Sequence, residues 1–203
     1  MGVMERRARD KQTLRRKILD AARDLFAKEG YENVTMRKVA QKIEYTPTTI
    51  YLYFKDKEEL CGAVCEETFA GLLKALERAE RKYSDPVEQL RAGCMAYIEF
   101  GLAHPDQYRV SFMLRVHREP TPGEMQDMDA AGWKAYNSLR SGVEACIAQG
   151  KFRAGDPDTI SQAIWAAIHG ITALLINNPY FPWAGKNRLI QLVVDSMIEG
   201  LKK

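Results

Sequence analysis

The apolar residues of this chain recur at three- and four-residue steps, and no strand-like alternation survives anywhere along it. The spacing predicts an amphipathic helix over residues 11–28, with Leu14, Ile18, Ala21, Ala22, Leu25 and Phe26 on one side and Gly30 as its stop. Residues 1–10 are expected to fray. Two short helices are predicted next, over 35–42 and 46–54. Thr35 is an N-cap flanked by the staple pair Val34 and Val39. Thr46 is a second N-cap, with Pro47 at the first helical position and Tyr45 able to staple onto Ile50. Asp56 opens Asp-Lys-Glu-Glu, a start signal for a long helix over 58–82. Ser84-Asp85-Pro86 breaks the pattern. Helices are then expected over 87–103, 105–116, 124–149, 156–177 and 187–201, with a loop at 118–123 and a rigid linker at 178–182.

The chain therefore reads as all-α with about nine helices, divided into a small three-helix domain at 1–56 and a larger helical one at 57–203. The two short helices, joined by Ile43, Glu44 and Tyr45, have the form of a helix-turn-helix. Val34, Val39, Ile43, Ile50 and Phe54 supply the surface that Leu25 and Phe26 need for a small core.

Charge sharpens this picture. Residues 1–60 carry 14 Lys/Arg against 10 Asp/Glu, whereas residues 61–203 carry 16 against 17. Arg6, Arg7, Arg9, Lys11, Arg15, Arg16 and Lys17 face only Glu5, Asp10 and Asp20. A basic arm beside a helix-turn-helix is the electrostatic footprint of a phosphate binder, although by itself it is equally a solvated helical surface.

At about 100° per residue, Ile50 and Phe54 point inward from the second motif helix, so Thr48 and Leu52 centre its outer face, flanked by Thr49 and Tyr51. Leu52 can touch a thymine methyl in the major groove. Thr48 and Thr49 suit base edges or phosphates, and Tyr51 and Tyr53 suit phosphates. Lys57 lies in the first turn of the following helix, at its anion-attracting end. Thr46 and Pro47 complete this candidate DNA-binding set. Arg37 is the candidate for a bidentate guanine contact. The second motif helix holds no Arg, Asn or Gln, so DNA shape is expected to carry part of the specificity.

The remaining chemistry mainly excludes. No apolar run of about 18 residues predicts a membrane span, and the N-terminus has no apolar stretch of a secretory signal. Arg6 stands where a myristoylation signal needs Ser or Thr. Cys61, Cys65, Cys94 and Cys146 lack metal-site spacing and are read as free cytosolic thiols. No nucleophile elbow, P-loop or zinc-protease motif is present among residues that include only three histidines, so no catalytic, cofactor or metal residue is expected.

Thr35-Met36-Arg37-Lys38-Val39-Ala40, Thr46-Pro47-Thr48-Thr49-Ile50-Tyr51-Leu52-Tyr53-Phe54-Lys55-Asp56-Lys57-Glu58-Glu59-Leu60 and the preceding Leu25–Tyr31 stretch resemble the DNA-binding domain of TetR-type transcriptional regulators. The similarity covers about residues 13–60. Trp165-Ala166-Ala167-Ile168-His169-Gly170 resembles the W-x-x-x-H-G signature of one subgroup's C-terminal domain. One departure is Tyr53, where the family often has histidine. The resemblance implies a cytoplasmic homodimer that binds a palindromic double-stranded operator, and a C-terminal domain that takes a small-molecule effector. A repressor released by its ligand is the implied behaviour; a ligand-independent DNA-binding dimer or an activator of the same fold stays open.

Within that frame, Ile160, Ile164, Ile168, Ile171 and Leu175, with Leu189, Leu192, Val193, Ser196 and Met197, mark two helices as the expected dimer surface, unless these stripes are ordinary core. Tyr97, Phe100, Tyr108, Phe112, Met113, Trp133, Tyr136, Trp165 and His169 are the candidate lining of a mainly apolar effector pocket; any one of them equally suits simple core packing.

Overall fold

A computed structural model describes residues 2–114 and 130–203. They fold as α1 (Val3–Glu29), α2 (Met36–Lys42), α3 (Pro47–Tyr51), α4 (Lys57–Glu80), α5 (Pro86–Ala103), α6 (Pro105–Tyr108), a π-helical turn at Arg109–Met113, α7 (Ala131–Ala148), α8 (Pro157–Asn177) and α9 (Lys186–Leu201). Among the described residues there is no strand, only an isolated antiparallel bridge between Phe152 and Lys202. The all-α reading holds.

Several boundaries differ from those predicted, each for a local reason. Residues 3–10 are helical, because Glu, Arg, Ala and Lys propagate a helix well once α1 is nucleated. The second motif helix ends at Tyr51; Tyr53 and Phe54 already donate back to the Ile50 carbonyl as the chain turns. The helix expected over 105–116 is α6 followed by the π-helical turn. The loop expected at 118–123 and the predicted helix start at residue 124 lie outside the described residues.

The chain divides into two compact units, and the division does not fall at residue 56. The first unit takes in Met1–Thr68 and Asp106–Thr121; the second takes in Phe69–Pro105 and Pro122–Lys203. In the first, Ile18, Leu19, Ala22 and Phe26 of α1 bury against Val34, Val39, Ile50, Phe54, Leu60 and Val64, with Val110 of the π-helical turn in the same core. Each Val, Leu, Ile or Phe side chain among them contributes about 1.5–3 kcal/mol of burial. The start signals work as the residue types require. Thr35 Oγ accepts from Lys38 N–H at 3.2 Å, and Thr46 Oγ accepts from Thr49 N–H at 3.4 Å. Asp56 Oδ1 accepts from Glu59 N–H at 2.8 Å.

In the second unit α5 packs against α7, α8 and α9. Arg91 of α5 bridges to Asp195 and, at 3.0 Å, to Glu199 of α9. Arg140 of α7 reaches Asp158 of α8 at 2.7 Å. By length and composition α8 is apolar enough to cross a membrane, contrary to the expectation from run length alone. Four of its five isoleucines, Ile164, Ile168, Ile171 and Ile176, are buried, as are Ser161 and Thr172. Those two hydroxyls donate to Pro157 and Ile168 carbonyls, 2.7 and 2.6 Å away.

The turn of the helix-turn-helix holds one conformational outlier. Glu44 has φ +62°. Tyr45 N–H donates to Ala40 O (2.9 Å) and Glu44 N–H to Gln41 O (3.2 Å), which is a Schellman closure of α2 with glutamate where glycine fits best. The left-handed conformation costs a non-glycine residue about 1–2 kcal/mol, against about 0.5–1 kcal/mol of extra chain entropy that glycine loses on folding. Glu44→Gly is therefore expected to stabilise the protein by roughly 0.5–1 kcal/mol. Thermal unfolding would show a higher midpoint; an unchanged or lower one would mean that the turn is not strained.

Candidate nucleic-acid interface and effector site

The first unit presents the outward side of α3 as the sequence requires. Ile50 and Phe54 are buried at 0% and 2% exposure, while Leu52 stands 75% exposed and Tyr51 55%. Thr48 and Arg37 are exposed, and Arg37 has no ion-pair partner among the described residues. These four share the solvent side of the motif. Other predicted residues are engaged within the fold. Thr46 caps α3 and shares a 3.0 Å hydroxyl contact with Thr49, Pro47 opens the helix, and Tyr53 packs partly against the core. Lys57 Nζ donates to the Tyr31 carbonyl at 2.8 Å and lies 4.1 Å over the Tyr31 ring. Its ammonium ties α4 to the end of α1, a use the sequence pattern does not reveal.

Charge in this unit is sorted the same way. Lys38 pairs with Glu29 at 2.6 Å, Lys42 with Asp24, and Lys28 with Asp24 at 2.7 Å. The two lysines beside Asp24 hold its carboxyl below the usual carboxylate range. Arg15 lies 5.2 Å over the Phe54 ring. Arg6, Arg7, Lys11, Arg16, Lys17, Arg37 and Lys55 make no ion pair among the described residues, so the cations left over cluster on α1 and the motif.

The second unit gathers five of the nine candidate pocket residues. The Trp165 indole N–H donates to Tyr97 Oη at 3.3 Å, and Tyr97 Oη lies 3.4 Å from His169 Nδ1. Tyr136 packs against Trp133 (ring centroids 5.8 Å apart) and Trp165 (6.2 Å). Burial pushes the His169 imidazole below its ordinary pKa, so it is neutral near pH 7. The direction of the Tyr97–His169 hydrogen bond follows the imidazole tautomer, since the phenol oxygen can both donate and accept. Tyr136 Oη is buried with no hydrogen-bond partner among the described residues.

The other four do not join this group. Phe100 lies against Gly71 and pairs with His104 at 4.8 Å. Tyr108, Phe112 and Met113 fall in the first unit, where the π-helical turn packs on α1.

The expected dimer surface also needs correction. Ile164, Ile168, Ile171 and Leu175 are 2–7% exposed and face the subunit's own core, the alternative their stripe had left open. Ile160 is only partly buried. The outward side of α8 carries Ala163, Ala166 and Leu174 instead, the last 50% exposed. On α9 the buried residues are Ile190, Val194 and Ile198. Leu192 (61% exposed) and Ser196 lie outward, and Leu189, Val193 and Met197 are partly exposed.

A capped helix-turn-helix that turns apolar, hydroxyl and cationic groups to solvent has the surface that reading DNA requires. Residues 18–64 match bacterial regulatory proteins of the tetR family, and residues 90–199, more than half the chain, match the tetracyclin repressor-like C-terminal domain. The protein belongs to the TetR family of transcriptional regulators, and is not an enzyme. It is 27% identical over 147 residues to the transcriptional repressor NicS of Pseudomonas putida, a match covering 72% of this chain and 69% of that protein. The regulator UidR of Escherichia coli strain K12 is 29% identical over 86 residues, 42% of this chain and 40% of UidR's length. Among solved structures, a Rhodococcus sp. RHA1 protein of unknown function superposes with a TM-score of 0.77 at 25% identity, covering 94% of this chain and 96% of that one. The fatty acid degradation regulator FadR of Bacillus halodurans gives 0.76 at 19% identity, with coverages of 92% and 95%, a likeness of fold.

The depressed His169 pKa has a consequence for stability. The unfolded chain binds a proton there at higher pH than the folded one, so the contribution is intact above about pH 6.5 and falls as pH drops through the folded value. The His169 ring protons are expected to titrate below 6.5 by NMR, and His169→Gln should flatten that part of the stability profile. A ring titrating at or above 6.5 contradicts this.

Proposed function

We propose that this protein is a cytoplasmic homodimeric repressor that leaves a palindromic operator when a small molecule occupies its second unit. The observation that carries the DNA reading is the pairing of a buried Ile50–Phe54 seat with a Leu52 that stands three-quarters exposed beside Thr48, Tyr51 and Arg37. Leucine in open solvent has no structural use there; against a thymine methyl it does. Thr48, Tyr51 and Tyr53 serve phosphates, Arg37 reads a guanine, and the basic arm adds salt-dependent affinity. Thr46, Pro47, Thr49 and Lys57 hold these groups in place.

The outward side of α8 and α9, with Ala163, Ala166, Leu174, Leu189, Leu192, Val193 and Ser196, is the face we assign to the partner subunit. Small residues on α8 permit close helix approach, and the exposed leucines supply apolar area. A two-fold dimer sets its heads about 34 Å apart, one turn of DNA, or somewhat further. The effector site is the aromatic group of Tyr97, Trp133, Tyr136, Trp165 and His169. A ligand preferring the subunit shape whose heads do not fit the operator shifts the population off DNA. Similarity to NicS, named a repressor, favours repression.

Arg37→Ala is expected to cost about 1–3 kcal/mol at one base pair, roughly tenfold or more, and to relax preference there while leaving the fold intact. Binding-site selection on both proteins checks this; identical preferences would remove Arg37 from base reading. Leu192→Glu is expected to yield a folded monomer by sedimentation with greatly weakened operator binding. A variant that stays dimeric places the partner elsewhere.

A further inference from the structure

Glu80, at the C-terminal end of α4, is a half-buried carboxylate facing the interior of the second unit. Its partner is the Ser138 hydroxyl of α7, 3.3 and 3.2 Å from its two oxygens, and no Lys or Arg pairs with it among the described residues. That sets it apart from Asp85, Asp158 and Glu199, each bonded to a cation. Room has been left for it. A Cβ added at Gly93 of α5 would fall 2.8 Å from Glu80 Oε1, so any side chain there would displace the carboxylate. A buried carboxylate lacking a counter-charge costs stability that an apolar residue would not, so packing alone does not account for it. Burial correspondingly raises its pKa.

Tyr97 follows Gly93 by one turn on the same face of α5, and its hydroxyl accepts from the Trp165 indole N–H at 3.3 Å. None of the aromatic group's five members carries a positive charge, and His169 is neutral near pH 7. Electron-rich indole and phenol faces attract cations, the more so when partly desolvated.

We propose that the effector is an arylalkylamine, its ammonium paired with Glu80 and its ring set against Tyr97 and Trp165. The step from Gly93 to Tyr97 puts charge and ring about one helical turn, ~5 Å, apart along the axis. The unpartnered Tyr136 hydroxyl supplies a further hydrogen bond to a polar ring substituent. The proposal rests on the reading of the aromatic group as the effector site.

The test uses calorimetry on the full chain with three probes that share a phenyl ring and a two-carbon spacer: protonated phenethylamine, neutral N-acetylphenethylamine and anionic 3-phenylpropanoate. The amine is expected to bind about tenfold or more tightly than the other two, and Glu80→Gln to abolish that preference while keeping the Ser138 hydrogen bond. Glu80→Asp, which keeps the charge but withdraws it by one methylene, should weaken the amine selectively and serves if the Gln variant does not fold. Trp165→Ala should weaken all three probes alike. No amine binding to the wild type, an amine affinity untouched in Glu80→Gln, or a neutral or anionic probe bound as tightly each overturns the cation proposal. If probe binding still depends on Trp165 in those cases, the site stands and only its charge preference falls; if binding is indifferent to Trp165, the site falls too.

Discussion

The head of this regulator depends on how Ile50 and Phe54 are seated. α3 is only five residues long, too short to hold itself helical in water. What keeps it in place is the burial of those two side chains against Phe26, Val34 and Val39, with Arg15 over the outer edge of the Phe54 ring. Thr46 and Pro47 set its first turn. Once that seat is filled, Tyr51 and Leu52 between the two anchors face solvent, while Tyr53 packs partly against the core.

Charge around the head follows from the same packing. Lys38 and Lys42 of α2 are drawn to acidic groups of α1, and Lys57 is drawn to the Tyr31 carbonyl and ring. These cations stitch the first unit together. Exposed pairs of this kind contribute little individually, about 0–1 kcal/mol, but they remove charge from the list available to DNA. Among the described residues, Arg6, Arg7, Lys11, Arg16, Lys17, Arg37 and Lys55 make no ion pair, an arrangement suited to a general phosphate attraction with few specific base contacts.

The second unit uses α5 as its pivot. Its contacts with α7, α8 and α9 bury the isoleucines of α8 and force that helix to turn alanines and Leu174 outward. The same packing sets Tyr97 between Trp165 and His169, and Gly93 against Glu80. The aromatic and acidic features we assign to the effector are thus consequences of one helix sitting between three others.

Helix content, the order of elements, the start signals at Thr35, Thr46 and Asp56, and the inward–outward split of α3 were legible in the residues, because each is set by interactions within four or five positions along the chain. Where the chain deviates from those rules, the cause is long-range. Glu44 sits in a left-handed turn with no glycine to announce it, since the fold closes α2 there regardless. Lys57 looks like a phosphate ligand until Tyr31, 26 residues away, is placed beneath it. On α8 the apolar stripe and the small-residue stripe lie on different sides, and periodicity cannot say which one faces its own subunit; packing against α5 decides it. Tyr108, Phe112 and Met113 likewise look equivalent to Tyr97 and Tyr136 until the chain assigns their segment to the first unit. The sequence by itself determined the helices and the outward residues of the head, because helix formation and capping are local. Which stripe is core, which cation is free and which aromatic rings meet were decided only by tertiary structure, because each depends on a partner that sequence distance does not reveal.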